Sequence, residues 1–195
     1  MAFLAQFKHC LITRALVRRA WLAALSSLLL LGGILAGAQE FVAPEQTVKA
    51  AFLYNFAKFV EWPTNSFAAS NSDLVIGVLG KDPFGQTLDE TVAGRRVDGH
   101  PVVIARYRQI GEATNCHVLF LASSEKKNLP RILAELKTRA VLTVSDIEDF
   151  AAAGGLIQLV KRGERIQFKI NAEAAGRSQL KFSSKLLRLS IPDGV

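Results

Sequence analysis

The chain has 195 residues, 50% of them hydrophobic, and a formal net charge of +7. Four of its basic residues and no acid lie in residues 1–38, so residues 39–195 carry only about +3. This excess is too small for a nucleic-acid partner, which requires clustered positive charge. The length of residues 39–195 suits one domain with a single core.

The N-terminal segment predicts export. Its four basic residues precede an apolar run over residues 21–35, and small residues follow at 36–38. These are the successive regions of a secretory signal peptide, with cleavage predicted after Ala38. An uncleaved membrane anchor is the alternative, because the apolar run is long. The predicted organisation is therefore a signal peptide over residues 1–38 and a single domain over residues 39–195.

Residues 48–63, VKAAFLYNFAKFVEWP, predict an amphipathic helix that forms a main wall of the core. At 100° per residue the bulky side chains gather on one side of this helix. That side holds Val48, Phe52, Phe56, Phe59 and Val60. Pro44 and Glu45 suit the start of the helix, and Pro63 ends it, because proline disfavours helical geometry in the preceding residue. Asn55 is predicted near the apolar side, with its amide bonded to a neighbouring loop in preference to a ligand.

Strands and helices alternate through the middle of the chain. Strands are predicted at residues 73–80, 101–107, 116–122 and 140–144, and helices at residues 86–92, 129–139 and 146–152. The β-branched run at 73–80 suits a strand buried on both faces, as in a parallel sheet. Ser145 or Asp146 is the predicted N-cap of the last of these helices.

The end of the chain changes to a hairpin. Residues 156–160 and 165–170 flank the turn sequence KRGE, and apolar residues alternate with polar ones in the second strand. A helical turn is predicted at 171–177, and an amphipathic segment of undetermined type at 180–190. The predicted fold class is α/β, a three-layer αβα sandwich with a mixed, mostly parallel sheet and a C-terminal hairpin.

No catalytic constellation stands out after the leader, so neither an enzyme, a metal site nor a cofactor is predicted. His117 lies beside Cys116 in a predicted strand, where neighbours point to opposite faces, and His100 lies in a turn. No third ligand has metal-site spacing. Cys116 is the one cysteine that remains after cleavage and reads as an inert core thiol, with an intermolecular disulfide as the alternative.

Two stretches are candidates for binding. The glycine-containing loop over residues 77–85 follows a strand and precedes a helix, where open α/β sheets bind ligands. It lacks the Walker pattern, so a tight turn is the simpler interpretation and a small-molecule site the alternative. The second candidate is a basic group near the hairpin, which is either a solvated sheet edge or a site for a partner or an anion. Its members are Arg162, Arg165, Lys169 and Arg177.

Six sequence blocks carry a family resemblance. They are VKAAFLYNFAKFVEWP, VLGKDPFG, VLTVSD, GGLIQLV, RIQFKIN and LKFSSKLLRLS. In this order, over about residues 45–190, they closely resemble the YfiR family. The resemblance implies a periplasmic α/β protein without known catalysis, which binds the periplasmic sensor domain of an inner-membrane diguanylate cyclase. Such a protein represses cyclic-di-GMP production and limits biofilm formation.

The resemblance also implies a homodimer. A periplasmic small-molecule binding protein is the alternative function, and a ligand that tunes repression would reconcile the two. The chain departs from better-known relatives in its cysteines, because those relatives carry disulfide pairs that are thought to sense oxidation. With Cys116 alone after cleavage, disulfide-based control is not expected here.

Overall fold

The computed structural model describes residues 43–192, which fold around a seven-stranded sheet. The helices are α1 (Glu45–Phe59), α2 (Gln86–Val92), α3 (Leu129–Leu136), α4 (Ala172–Arg177) and α5 (Ser184–Leu189). The strands are β1 (Val60–Glu61), β2 (Leu74–Leu79), β3 (Arg96–Val97), β4 (His100–Tyr107), β5 (Val118–Leu121), β6 (Leu142–Ser145), β7 (Ile157–Arg162), β8 (Arg165–Ile170) and β9 (Lys181–Phe182). The predicted signal peptide, residues 1–38, lies outside the described residues.

The sheet is mixed and mostly parallel. Its strand order is β3-β4-β2-β5-β6-β7-β8, with β3 and β8 antiparallel to their neighbours and the strands between them parallel. The predicted α/β fold class and C-terminal hairpin are therefore confirmed. A separate antiparallel ribbon joins β1 to β9.

Two apolar layers cover the two faces of the sheet. On one face, α1 and α2 pack against alternate residues of the central strands, including Ile76, Val78 and Phe120. On the other face, α3 packs against the intervening residues, including Leu119 and Leu121. Because consecutive strand residues point to opposite faces, a strand such as β5 is buried throughout. This is why the middle strands read as continuous apolar runs.

Helix α1 is turned on its axis relative to the prediction. Its buried side chains centre on Leu53, Phe56 and Ala57, so the small residues bring the helix close to the sheet. At 100° per residue Asn55 lies opposite Leu53, and its side chain is exposed. The predicted buried amide is therefore wrong.

The end of α1 also differs from the prediction. The helix stops at Phe59, three residues earlier than predicted, because the next two residues form β1. In β1, Val60 pairs with Phe182 and Glu61 pairs with Lys181. A pairing with residues so distant in the chain leaves no mark in the local pattern that ends at Pro63.

The helix predicted at residues 146–152 is wrong, since this segment forms turns. Asp149 has a φ of 58°, a left-handed conformation that interrupts a helix. Of the two predicted N-caps, Ser145 does accept a hydrogen bond from the Ile147 amide, but its hydroxyl also donates to the Leu121 carbonyl. Asp146 instead forms an ion pair with Lys49.

No helix within residues 43–192 has the length and apolar character needed to cross a membrane.

Candidate functional site

The carboxyl ends of the parallel strands form the edge of the sheet where α/β proteins commonly bind ligands. After β2 the chain forms β4 on one side of that strand, and then forms β5 on its other side. Open α/β sheets bind ligands where the strand order reverses in this way. The loop from Gly80 to Gly85 lies at this point, directly after β2.

This loop is packed against the turn that follows β5. A Cβ atom added to Gly80, which has a φ of 93°, would lie 2.4 Å from Oγ of Ser124 and 2.9 Å from Glu125. The Lys81 amide also donates a hydrogen bond to Oγ of Ser124, at 2.9 Å. These contacts favour the tight-turn interpretation of the loop over a ligand site.

Arg106 fixes the other end of the same loop. From β4 its Nε donates to Oδ2 of Asp82 at 2.7 Å, and its Nη2 donates to the Gly85 carbonyl at 2.8 Å. A further bond joins Nη2 to Oδ2 of Asp89, at 2.5 Å. The hydrogen bonds with Asp89 and Asp82 raise the pKa of Arg106, and Arg106 in turn lowers the pKa of Asp89. The sequence pattern gave no sign of this arginine, since its acidic partners lie in another segment.

An ion network around the buried Lys49 lies at the carboxyl ends of β6 and β7. Lys49, 5% exposed, places Nζ 2.6 Å from Oδ2 of Asp146 and 2.6 Å from Oε1 of Glu45. Glu45 also accepts a bond from Lys161 at 2.8 Å. The network ties the first turn of α1 to the ends of two strands. Its one sequence signal was the i,i+4 spacing of Glu45 and Lys49.

The network changes the pKa values of Glu45 and Lys49. The hydrogen bonds from Lys161 and Lys49 lower the pKa of Glu45 to about 2, against a smaller opposing effect of burial. Burial opposes the charged form of Lys49, but the hydrogen bonds with Asp146 and Glu45 outweigh it and raise its pKa. Each charge therefore has an opposite charge beside it, which is typical of a structural clamp.

The predicted basic group does not form one cluster. Arg162 and Arg165 face each other across the hairpin turn. Lys169 lies at the other end of β8, about 13 Å away along the strand, where it lines a depression with Asp149. The role of the group in binding stays a prediction.

Arg177 lines a different cavity, although its partner Glu173 lines the same depression as Lys169. It forms an i,i+4 ion pair with Glu173 in α4 and lines a cleft of about 320 Å³ between α3 and α4. The cleft has an apolar floor, to which Leu136 and Leu156 contribute, and a basic rim. Sequence reasoning did not identify the cleft, because its walls come from segments about 40 residues apart.

His100 and His117 hold a loop in place and do not form a metal site. His117 stacks on Phe67 at 4.4 Å between ring centroids, and His100 stacks on Phe67 at 3.8 Å. Nε2 of His117 donates to the Ser66 carbonyl, while its Nδ1 accepts from the Val75 amide. Burial lowers the pKa of His117. Within residues 43–192, no three His, Cys, Asp or Glu side chains are grouped closely enough to hold a metal ion.

Cys116 is buried, and its thiol donates to the Val118 carbonyl at 2.9 Å. Removal from water raises the pKa of this thiol to about 12. At neutral pH it is therefore a thiol and not a nucleophilic thiolate. Both features agree with the predicted core thiol.

The fold is that of an α/β domain with a cleft and charged patches on its surface. The sequence matches the family described as YfiR/HmsC-like over residues 46–191, and the chain belongs to that family. The predicted resemblance over about residues 45–190 is thus confirmed. The family is one of periplasmic regulators and not of enzymes. A comparison with curated proteins found no match.

Proposed function

We propose that this protein is a periplasmic binding protein that represses an inner-membrane diguanylate cyclase. By doing so it would limit cyclic-di-GMP signalling and biofilm formation. The observation that carries the proposal is the family match over residues 46–191, which covers most of the described structure. The predicted signal peptide over residues 1–38 agrees with a periplasmic location.

Repression by binding requires a difference in affinity between two states of the partner. The proposed partner surface is the periplasmic sensor domain of the cyclase. The protein lowers cyclase activity only if it binds the inactive conformation of that domain more tightly than the active one. Tenfold tighter binding to the inactive conformation shifts its equilibrium by at most tenfold, which is about 1.4 kcal/mol.

Arg162 and Arg165 are the proposed polar part of the regulatory surface. Both are exposed at the tip of the hairpin, where β8 forms an edge of the sheet. Guanidinium groups offer forked donors that match carboxylates, so an acidic patch on the sensor domain is the expected counterpart. Lys169 and Arg177 remain candidates for the same role at separate places.

A homodimer is also part of the proposal. The resemblance to the YfiR family is what supports it. Leu187 and Leu189 on α5, 45% and 61% exposed, are apolar side chains available to an interface. Sedimentation of the purified protein over a range of concentrations tests this part.

The central experiment deletes the gene and measures cellular cyclic-di-GMP. Deletion is expected to raise it, and expression from a plasmid to lower it again. Isolation of the protein from membranes, followed by mass spectrometry, should recover a diguanylate cyclase with it. The intact mass of the protein itself should correspond to a chain that begins at Gln39. Unchanged cyclic-di-GMP under several growth conditions would contradict the proposal.

A further inference from the structure

The cleft between α3 and α4 combines an apolar interior with a rim of a single sign of charge. Its floor is buried and apolar, and includes Leu136, Val141 and Leu156. Its lining residues include three cations, Lys137, Arg139 and Arg177, and no carboxylate. Its volume of about 320 Å³ is at the lower end of the range for small-molecule sites.

Arg139 lines the cleft, but its guanidinium is turned towards the backbone of another segment. Its Nη2 donates to the carbonyls of Ala113 and Thr114, the second at 3.0 Å. Thr114 and Arg139 both line a separate depression, and neither Ala113 nor Thr114 lines the cleft. The cations that a ligand in the cleft can meet are therefore Lys137 and Arg177.

Arg177 is held less firmly. Its partner Glu173 is 80% exposed, and Arg177 itself is 55% exposed. Exposed ion pairs of this kind contribute little to stability, because water and salt screen them. A ligand carboxylate at the rim can therefore replace Glu173 as the partner of Arg177 at little cost.

We propose that this cleft binds a small organic carboxylate with an apolar body. The apolar interior matches an aryl or alkyl group, and the basic rim matches the carboxylate, since guanidinium groups form paired hydrogen bonds to carboxylate oxygens. The site is distinct from the loop at residues 80–85, which the protein's own side chains fill. The inference does not depend on the proposed repression.

The first test compares two ligands of nearly the same shape. Phenylpropionate carries a carboxylate, and phenylpropionamide is its neutral counterpart. The protein purified after expression of the full-length gene is titrated with each by calorimetry, and its melting temperature is measured with each. The acid is expected to bind at least fivefold more tightly and to raise the melting temperature. Equal binding of the two compounds, or no binding of the acid up to about 1 mM, would overturn the proposal.

The second test locates the site. Ala134 is exposed on α3 and lines the cleft, so Ala134→Trp should fill the cleft and weaken phenylpropionate binding at least tenfold. Ala93, exposed just after α2 and outside the cleft, supplies the matched control Ala93→Trp. Unchanged binding by Ala134→Trp would place the ligand elsewhere.

The third test removes rim charges without changing the shape of the cleft. Lys137→Gln and Arg177→Gln should each weaken binding of the acid about two- to fivefold and leave binding of the amide unchanged. Lys126→Gln makes the same change of net charge at an exposed residue outside the cleft and should have no effect. If Ala134→Trp fails to fold, Lys137→Gln and Arg177→Gln still test whether the ligand binds in the cleft. If Lys137→Gln and Arg177→Gln bind the acid like the parent, the rim is not the site of the carboxylate.

Discussion

Lys49 and Asp146 form a partly buried ion pair, 2.6 Å between Nζ and Oδ2, that joins the first turns of α1 to the end of β6. The residues are 97 positions apart in the chain. The lysine is almost fully buried, whereas the Asp146 side chain is 26% exposed. The pair therefore links two distant segments at the edge of the sheet where the parallel strands end.

Asp146→Ala should destabilise the protein by about 1–3 kcal/mol. Breaking a buried pair costs about 3–5 kcal/mol because it leaves a charge uncompensated, but Lys49 retains Glu45 and the cost is reduced. Urea unfolding measures the change. Glu148→Ala is the matched control, since it breaks only the exposed pair with Lys126 and should change stability by less than about 1 kcal/mol. Equal effects of the two variants would show that burial of Lys49 is energetically unimportant.

Glu45 should make stability sensitive to acid. Its pKa is lowered from 4.5 to about 2 in the folded protein by Lys161 and Lys49. A carboxyl with a lowered folded-state pKa stabilises the protein fully above its unfolded pKa, and this contribution is lost as pH falls from about 4.5 towards 2.

Urea unfolding at a series of pH values measures this loss. Glu45→Gln removes the titrating group, so its stability should fall less steeply over the same range. Parallel curves for the variant and the parent would assign the acid sensitivity to other groups.

Phe56→Ala should cost about 3–5 kcal/mol of folding free energy, from lost burial and the remaining cavity. Phe56 is 1% exposed, and its ring lies 5.0 Å from that of Phe168 in β8 and 5.5 Å from that of Phe52. Phe59→Ala is the comparison, because Phe59 is only half-buried and should cost clearly less. A stable Phe56→Ala protein that no longer represses would instead place this side chain at an interface.

The local sequence pattern was sufficient to predict those helices and strands that are stabilised by alternating or continuous apolar residues. The strands near residues 73–80 and 101–107, and the helix at 86–92, are where their patterns place them. Lys49 could not be placed, because what makes its burial tolerable is a carboxylate 97 residues away. The prediction for Asn55 was wrong for a related reason. The fully buried side of α1 contains Ala50 and Ala57, whereas the sequence pattern was dominated by the bulky residues.

The candidate sites were less accessible to the sequence than the fold. The loop after β2 has a composition typical of ligand-binding loops. Its contacts with Ser124 and Arg106, which only the structure shows, occupy the positions that a ligand would use. Arg165 and Arg177 are twelve positions apart and looked like neighbours, yet they occupy separate surfaces. Their proximity in the chain does not bring the two side chains together, because the chain turns from β8 into α4 between them.

Cys116 should react slowly with iodoacetamide in the folded protein at pH 8, because it is buried and its thiol pKa is about 12. Denaturant should increase the rate of labelling, which mass spectrometry follows. Cys116→Ser should cost up to about 1–2 kcal/mol, as expected for a small buried side chain. A reductant should leave the melting temperature unchanged. A marked decrease would reveal a disulfide and favour the intermolecular alternative.

Arg165→Ala should fold normally and weaken repression. Its Cα partner across the hairpin turn is Arg162, and like charges at directly opposed positions destabilise a sheet, so loss of one should not lower stability. Cyclic-di-GMP measured in a deletion strain that carries the variant should lie between the levels of the deletion and of the parent. Lys126→Ala, which removes an exposed cation far from the hairpin in sequence, should repress fully.

Arg177→Ala and the double variant, Arg165→Ala with Arg177→Ala, test the two positions separately. If the hairpin tip alone contacts the cyclase, Arg165→Ala and the double variant should repress equally poorly, and Arg177→Ala should repress like the parent. If both arginines contribute, their effects should add, because residues without shared partners act independently. A double variant that folds and represses like the parent would remove both arginines from the regulatory surface. It would leave the proposal of repression itself to the result of the gene deletion.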